Sequence, residues 1–203
     1  MFKKVASDML GLSDIGKVIK PEDYDKVDSD DYVLHEDGEK IYFIIKSKAD
    51  EYCFTNQALI HLDGTSAMSK KRMLKRYNYN VNLVRDVKLE TAGTMDMDVE
   101  IKFTMGELAY SIDVDKTQIE ELKDLYKALI KIGSIQQENG VLLHYAENTL
   151  STAASAVHLS SSSSKLEEQF KAVNQYSFAW LKQAHETYLR KDFGAVFEKF
   201  INN

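Results

Sequence analysis

The run from Lys70 to Arg76 is the sharpest candidate for binding chemistry in this sequence. It reads KKRMLKR, so five of its seven side chains are cations in a chain whose net charge is −6. Lysine and arginine bind phosphate or carboxylate groups through charge-assisted hydrogen bonds. The candidate binding residues are Lys70, Lys71, Arg72, Lys75 and Arg76.

Three interpretations of this basic run stay open. It could bind an anion or a lipid headgroup, it could bind an acidic partner protein, or it could pair with carboxylates inside the sheet. Opposite charges that face each other across strands contribute roughly 0.2–1 kcal/mol per pair. We expect pairing within the sheet, and the predicted partners are Asp86, Glu90, Asp96, Asp98 and Glu100.

Three carboxylates, those of Asp96, Asp98 and Glu100, alternate with apolar residues and could hold a divalent cation or act as an acid–base pair. Side chains two positions apart on a strand are roughly 6.6 Å apart, so three of them do not converge easily on one ion. We therefore expect these carboxylates to balance nearby lysine and arginine side chains.

The other reactive residue types show no catalytic arrangement. The five histidines lack the i, i+4 spacing of a metal-binding pair, and the sequence contains neither a Gly-x-Ser-x-Gly turn nor a glycine-rich phosphate loop. Cys53 lies between Tyr52 and Phe54 in a predicted strand, where a buried, inert thiol is expected. The sequence therefore predicts a protein that is not an enzyme and that uses no metal and no cofactor.

Composition excludes further classes of protein. In 203 residues with 44% apolar content, no apolar run approaches the roughly 18 residues that a membrane span needs. The net charge of −6 argues against general nucleic-acid binding. A single cysteine excludes an internal disulfide and a cysteine-built zinc site, and it favours a reduced, cytoplasmic location.

The elements that position these residues begin with the stretch from Met95 to Phe103, where apolar and charged residues alternate strictly. A period of two predicts a strand with one buried face. Other runs of strand character, separated by turn residues, lie on both sides of it. The predicted strands cover residues 41–45, 51–55, 58–62, 72–77, 84–90, 95–103 and 108–112.

The period then changes to that of a helix, predicted over residues 117–132. Thr117 and Glu120 fit a capping box, and Gly133 fits the position just beyond the C-cap. Closely spaced antiparallel strands followed by one amphipathic helix predict an α+β fold. We expect a small antiparallel β-barrel or orthogonal sandwich, capped by this helix with Leu122, Tyr126 and Leu129 facing inward.

The remaining sequence predicts an antiparallel α-helical hairpin. A helix over 141–159 is followed by serines at 160–164, and Ser164 with Glu167 fits a second capping box. The next helix has a heptad-like apolar seam. Two helices cannot cover so many large side chains, which must pack on the sheets of the same chain or on another chain. The candidate contacts between chains are Leu166, Phe170, Val173, Trp180 and Phe197.

Three segments resemble a known family. EYCFTN at 51–56, SKKR at 69–72 and ETAGTMDMDVEI at 90–101 resemble, in this order, the bacterial pleckstrin-homology (PH) domain of the YvbH-like proteins. The resemblance covers roughly residues 20 to 137. The sequence after it resembles the helical oligomerisation region that follows this domain in the same family.

The resemblance implies a PH-like barrel of two bent sheets without catalytic residues, and it implies assembly into homo-oligomers. We expect an N-terminal amphipathic helix and lead-in at residues 1–20, the PH-like domain at 21–138 and a helical extension at 139–203. The expected function is that of a self-assembling scaffold with an unknown protein partner. The alternative is a peripheral membrane module that binds anionic lipid headgroups through the basic run.

Overall fold

The structure of the chain, a computed structural model, describes residues 15–64, 72–91, 93, 98–160 and 166–201. Within the helices, the side chains at positions 154, 156–160, 166, 167, 169 and 170 lie outside this description. The chain forms two compact units. One consists of Met1–Ser134 together with Lys191–Asn203 and is called the sheet unit here; the other, Ile135–Arg190, is called the hairpin unit.

Five strands form the larger sheet of the sheet unit, and each one pairs antiparallel with the strand that precedes it in sequence. The first strand was not predicted from the sequence, while the other four agree with the predicted runs within a residue or so at each end. The strands are β1 (Lys17–Ile19), β2 (Ile41–Lys46), β3 (Glu51–Thr55), β4 (Ala58–Asp63) and β5 (Met73–Asn78).

Three strands form the smaller sheet: β6 (Val84–Glu90), β7 (Asp98–Met105) and β8 (Leu108–Asp115). The burial of β7 alternates as the sequence predicts, because its apolar side chains are buried while its polar ones remain half exposed. The predicted start of this strand, at residues 95–97, lies outside the described residues.

Gly16 joins the two sheets along one side. Its N–H donates to the carbonyl of Asp113 at 2.8 Å, and its own carbonyl accepts from the N–H of Asp115 at 3.0 Å. A Cβ at this position would lie 2.7 Å from a methyl carbon of Ile45, so the close approach requires glycine. In the described residues β5 and β6 remain the outer strands of their sheets. The architecture is therefore a sandwich, as expected, and the alternative of a closed barrel is not realised.

Helix α1 (Ile119–Ser160) begins in the sheet unit, where Leu122, Leu125 and Leu129 are fully buried and Tyr126 is half buried. Two details differ from the sequence prediction. Asp115 caps the preceding 3-10 turn by accepting from the N–H of Thr117 at 3.0 Å, so the predicted capping box is wrong. The helix also continues through Gly133, where it was predicted to end.

The hairpin unit consists of the rest of α1 and of helix α2 (Leu166–Tyr188). The indole N–H of Trp180 donates to the carbonyl of Ala146 at 3.3 Å. These two residues lie at similar distances in sequence from the segment that connects the helices, which is the relation expected in an antiparallel hairpin. The predicted cap residue Ser164 lies outside the described residues.

Helix α3 (Gly194–Ile201) belongs to the sheet unit rather than to the helical extension predicted at 139–203. The N–H of Phe193 donates to the carbonyl of Asn56 at 2.7 Å. The ring of Phe197 stacks on that of Tyr42 at 5.3 Å between centroids, and the Tyr42 hydroxyl donates to Glu198 at 2.9 Å. The end of the chain thus returns to the sheets. The N-terminal helix expected within residues 1–20 lies largely outside the described residues.

Candidate functional site

Each basic side chain of the Lys70–Arg76 run that the structure describes is paired with a carboxylate of the same chain. Arg72 lies 2.6 Å from Asp28 and 3.4 Å from Glu51, and Lys75 lies 2.5 Å from Asp63. Arg76 donates from both terminal nitrogens to Glu39, at 3.0 Å each. Lys70 and Lys71 lie outside the described residues.

Glu39 is buried, and its carboxylate is fully hydrogen-bonded. Besides Arg76, it accepts from the Thr55 hydroxyl and, at 2.8 Å, from the backbone N–H of Leu34. Burial alone raises the pKa of this carboxyl, but the hydrogen bonds from Arg76, Thr55 and Leu34 outweigh burial and hold the pKa below its usual value. The arrangement keeps a negative charge inside the sheet unit.

Glu51 is the second buried carboxylate. It pairs with Lys46, which is itself buried, and it accepts from the backbone N–H of Ser29 at 2.9 Å. The segment that supplies Ser29 and Asp28 is a series of 3-10 turns between β1 and β2, whose Val27 and Val33 pack in one apolar cluster with Cys53. This packing brings acidic residues of a polar segment close to β5.

The partners of the basic run therefore differ from those predicted. The predicted partners were carboxylates on or near β6 and β7. In the structure β5 pairs with β4, and the cations of the basic run contact Asp28, Glu39, Glu51 and Asp63 instead. Of the predicted acidic partners, Glu90 and Glu100 both contact Lys102, at 3.0 and 2.8 Å. No signal in the sequence identified Glu39 or Glu51 as buried, because only the folded chain brings them within reach of Arg76 and Arg72.

Glu100 and Asp113 face each other in the register of β7 and β8. Burial, and then the nearby charges of Glu100 and Asp98, raise the pKa of Asp113. The pKa of Glu100 is lowered by its hydrogen bonds from Lys102 and Ser111. Among the described residues, no group of three or more His, Cys, Asp or Glu side chains is placed to hold a metal ion.

The cysteine and the histidines with described partners show no nucleophile–base pair. Cys53 is fully buried, and burial raises the pKa of its thiol far above the usual value. His35 and His61 contact the carboxylates of Asp30 and Asp50 at 3.0 and 3.3 Å. These contacts leave no thiolate activated by a neighbouring base in the described part of the chain.

The hairpin unit presents large apolar side chains to water. Tyr145, Tyr176, Phe178 and Trp180 are 61%, 67%, 71% and 38% exposed, and Val141, Leu142 and Leu181 are exposed as well. Beside Trp180, a groove of about 210 Å³ opens between the two helices; we call it the Trp180 groove. It is lined by Ala146, Trp180, Gln183, Ala184, Thr187 and Tyr188.

The predicted contacts between chains divide into three groups. Val173 and Trp180 lie on α2 of the hairpin unit, half buried and exposed. The side chains of Leu166 and Phe170 lie outside the described residues. Phe197 is fully buried within the sheet unit of its own chain, so in this structure it packs on the sheets rather than being available to a second chain.

Comparison with known families finds two models that match successive parts of the chain. A family model described as Bacterial PH domain matches residues 9–133, and one described as YvbH-like oligomerisation region matches residues 144–203. The chain belongs to the YvbH-like family of bacterial PH-domain proteins. Helix α3 of this YvbH-like chain falls within the second match, although it packs in the sheet unit.

Two relatives of the YvbH-like chain cover nearly its whole length. It is 57% identical over 204 residues to the uncharacterized protein YvbH of Bacillus subtilis (strain 168), covering 100% of both chains. The crystal structure of a PH-domain-containing bacterial protein from Exiguobacterium sibiricum 255-15 is similar, with a TM-score of 0.87 and 52% identity over 93% of this chain and 100% of that one. Neither described helix of the hairpin unit nor α3 has the length and apolarity of a bilayer-spanning helix.

Proposed function

We propose that this protein is a non-catalytic scaffold that assembles with further copies of itself through the hairpin unit. In the assembly, several PH-like sheet units are held together, and protein partners bind to them. The observation that carries the proposal is the number of large apolar side chains that the hairpin unit exposes to water.

The exposed aromatic area is a large part of what an interface requires. Four aromatic side chains of about 150–250 Å² each, exposed by 38–71%, leave on the order of 500 Å² in contact with water. This is more than half of the roughly 800 Å² that one partner contributes to a standard protein–protein interface. The three exposed aliphatic side chains add to it. This area lies on more than one side of α2, since Phe178 and Trp180 are about 200° apart around the helix, and exposed apolar area of this kind marks interaction surfaces.

The family match supports a second copy as the partner of this surface. The exposed aromatic side chains lie at positions 145, 176, 178 and 180, within the region that matches the YvbH-like oligomerisation region. The described cations of the basic run, by contrast, are engaged within their own chain. Because Arg72, Lys75 and Arg76 are each paired with a carboxylate, they support a structural role for β5 more than headgroup binding.

Thiols and carboxylates are groups that enzymes often use, and their environments in this chain support a non-catalytic role. The only thiol, that of Cys53, is buried with a raised pKa. The carboxylates of Glu39 and Glu100, whose pKa values are lowered, are engaged in hydrogen bonds with cations. We place the assembly in the cytoplasm, where a free thiol stays reduced.

Light scattering coupled to size-exclusion chromatography tests the assembly. The full-length chain is expected to elute as an oligomer whose mass is a multiple of 23.2 kDa. A variant with Tyr145, Tyr176 and Phe178 replaced by serine is expected to be monomeric and folded. As the matched control, Val81→Ser with Leu108→Ser removes exposed apolar side chains from the sheet unit and is expected to leave the oligomer unchanged.

Two results would overturn the proposal. One is a monomeric full-length chain across a hundredfold range of concentration. The other is an oligomer that survives the triple substitution in the hairpin unit but is lost in the sheet-unit control, because the interface would then lie on the PH-like domain.

A further inference from the structure

The Trp180 groove has the chemistry of a site for an uncharged, apolar group. Two alanines, Ala146 and Ala184, are buried in it, the indole of Trp180 forms one wall, and Gln183 and Thr187 lie at its exposed rim. None of the lining residues carries a formal charge. A charged ligand would lose its hydration there without finding a counter-ion among these residues.

The volume of the groove suits one side chain rather than a small-molecule ligand. At about 210 Å³ it is smaller than the roughly 300–1,000 Å³ of typical ligand pockets. It exceeds the apolar cavity of about 150 Å³ that holds a benzene ring. A single aromatic side chain therefore fits.

Phe178 is the most exposed large apolar side chain among the described residues of the hairpin unit, at 71%. Its ring has no polar atom, whereas the hydroxyl groups of Tyr145 and Tyr176 can remain hydrated. Phe178 precedes Trp180 by two residues, which is a rotation of about 200° around a helix. It therefore points away from the groove of its own chain.

We propose that Phe178 of one copy inserts into the Trp180 groove of a second copy. The proposal rests on the self-assembly proposed above and names the contact that forms it. Both surfaces lie within the region that matches the YvbH-like oligomerisation region. Because the inserted ring and the groove lie on different faces of α2, the contact is heterologous, so each copy gives one ring and receives one. Such contacts build rings when the rotation between copies closes.

Two variants test the two halves of the contact. Phe178→Glu removes the inserted ring and adds a charge, while Thr187→Trp fills the groove from its exposed rim. Each is expected to lower the mass in light scattering to that of the monomer. Ala179→Glu is the matched control, because it adds the same charge at the neighbouring exposed position; it is expected to keep the wild-type mass. Circular dichroism checks that all three variants are folded.

Mixing the two variants tests the head-to-tail arrangement. The Thr187→Trp chain retains its Phe178 ring, and the Phe178→Glu chain retains an open groove, so one contact can form between them. The mixture is expected to give 1:1 dimers and nothing larger. Wild-type mass for the folded Phe178→Glu variant, or failure of the mixture to form dimers, would overturn the proposal while the self-assembly itself stands. A monomeric wild-type chain would overturn both.

Discussion

At the scale of single residues, the basic run turns out to neutralise buried carboxylates. Glu39 and Glu51 are each almost completely buried, and an isolated charge in such a position is strongly unfavourable. Arg76 compensates the charge of Glu39 through two parallel hydrogen bonds. Lys46 and Arg72 together compensate the charge of Glu51. The charge of this segment is therefore used largely inside the sheet unit.

Arg76→Met is expected to lower the free energy of unfolding by about 3–5 kcal/mol at pH 7, because it leaves the Glu39 carboxylate buried without a cation. Lys75→Met is the matched control. Its partner Asp63 is partly exposed, so its loss is expected to cost about 1 kcal/mol or less. Urea unfolding of both variants measures the difference, and equal losses would contradict the structural role of Arg76.

The Arg76–Glu39 pair also predicts that the stability of the chain depends on pH. Since the pKa of Glu39 is lowered in the folded chain, its ionised form stabilises the fold above the unfolded-state pKa of about 4.3. This contribution is lost as the pH falls through the folded-state pKa. The difference in stability between the wild type and Arg76→Met is therefore expected to be largest near pH 7 and to shrink below pH 4. A difference that is constant between pH 7 and pH 3 would contradict this assignment.

At the scale of elements, Gly133 shows why helix α1 does not end where expected. A C-cap glycine adopts a left-handed backbone, but among the described glycines positive φ angles occur at Gly38 and Gly106. Gly133 instead lets the helix approach β6, since a Cβ there would lie 2.5 Å from the carbonyl oxygen of Val84. Its role is close packing.

Replacing each of two glycines of α1 by alanine is therefore expected to change the stability of the chain in opposite directions. Gly133→Ala is expected to destabilise the chain by about 1–3 kcal/mol, because the new methyl group overlaps the backbone of β6. Gly140→Ala meets no atom within 4 Å and is expected to stabilise α1 by about 0.5–1 kcal/mol. Thermal unfolding followed by circular dichroism separates the two; a stabilised Gly133→Ala variant would show that the approach to Val84 does not matter.

At the scale of the whole molecule, the sheet unit is built from two separate stretches of the chain. Residues 191–203 return to it after the hairpin unit, and Phe197 packs there against Tyr42 and Tyr79. The fully buried Tyr79 also contacts Phe193. The PH-like domain therefore depends on residues that the sequence assigns to the helical extension.

A chain that ends at Gly140 is expected to lose stability as well as assembly, because it lacks α3. The loss is expected to reach at least the roughly 3–5 kcal/mol of Phe197→Ala, which deletes the buried ring from the full-length chain. Urea unfolding compares the two. A truncated chain that is as stable as the wild type would show that α3 contributes nothing to the sheet unit.

Membrane binding is expected to be weak, since the net charge is −6 and the described cations of the basic run are paired. In co-sedimentation at low ionic strength, the full-length chain is expected to remain in solution with vesicles of phosphatidylserine and phosphatidylcholine. Lys70→Glu with Lys71→Glu is the matched variant, as it leaves the paired residues intact. Salt-sensitive sedimentation that this variant abolishes would instead support the alternative of headgroup binding.

The sequence by itself determined the local elements and the family. Alternation with a period of two, together with short apolar runs bounded by turn residues, predicted seven of the eight described strands, and the change to helical spacing predicted the helices of α1 and the hairpin. The order of three short segments was enough to recognise a YvbH-like PH domain. These features could be predicted because each depends on residues that are close together in the chain.

The tertiary structure decided which elements meet. It placed β5 beside β4, buried Glu39 next to Arg76, carried α1 past Gly133 and returned α3 to the sheets. The last three results depend on contacts between residues far apart in sequence, such as the hydrogen bond from Tyr42 to Glu198 across 156 positions. The spacing of residues along a chain does not predict such contacts, because they form only when the chain reverses direction and buries its apolar faces together.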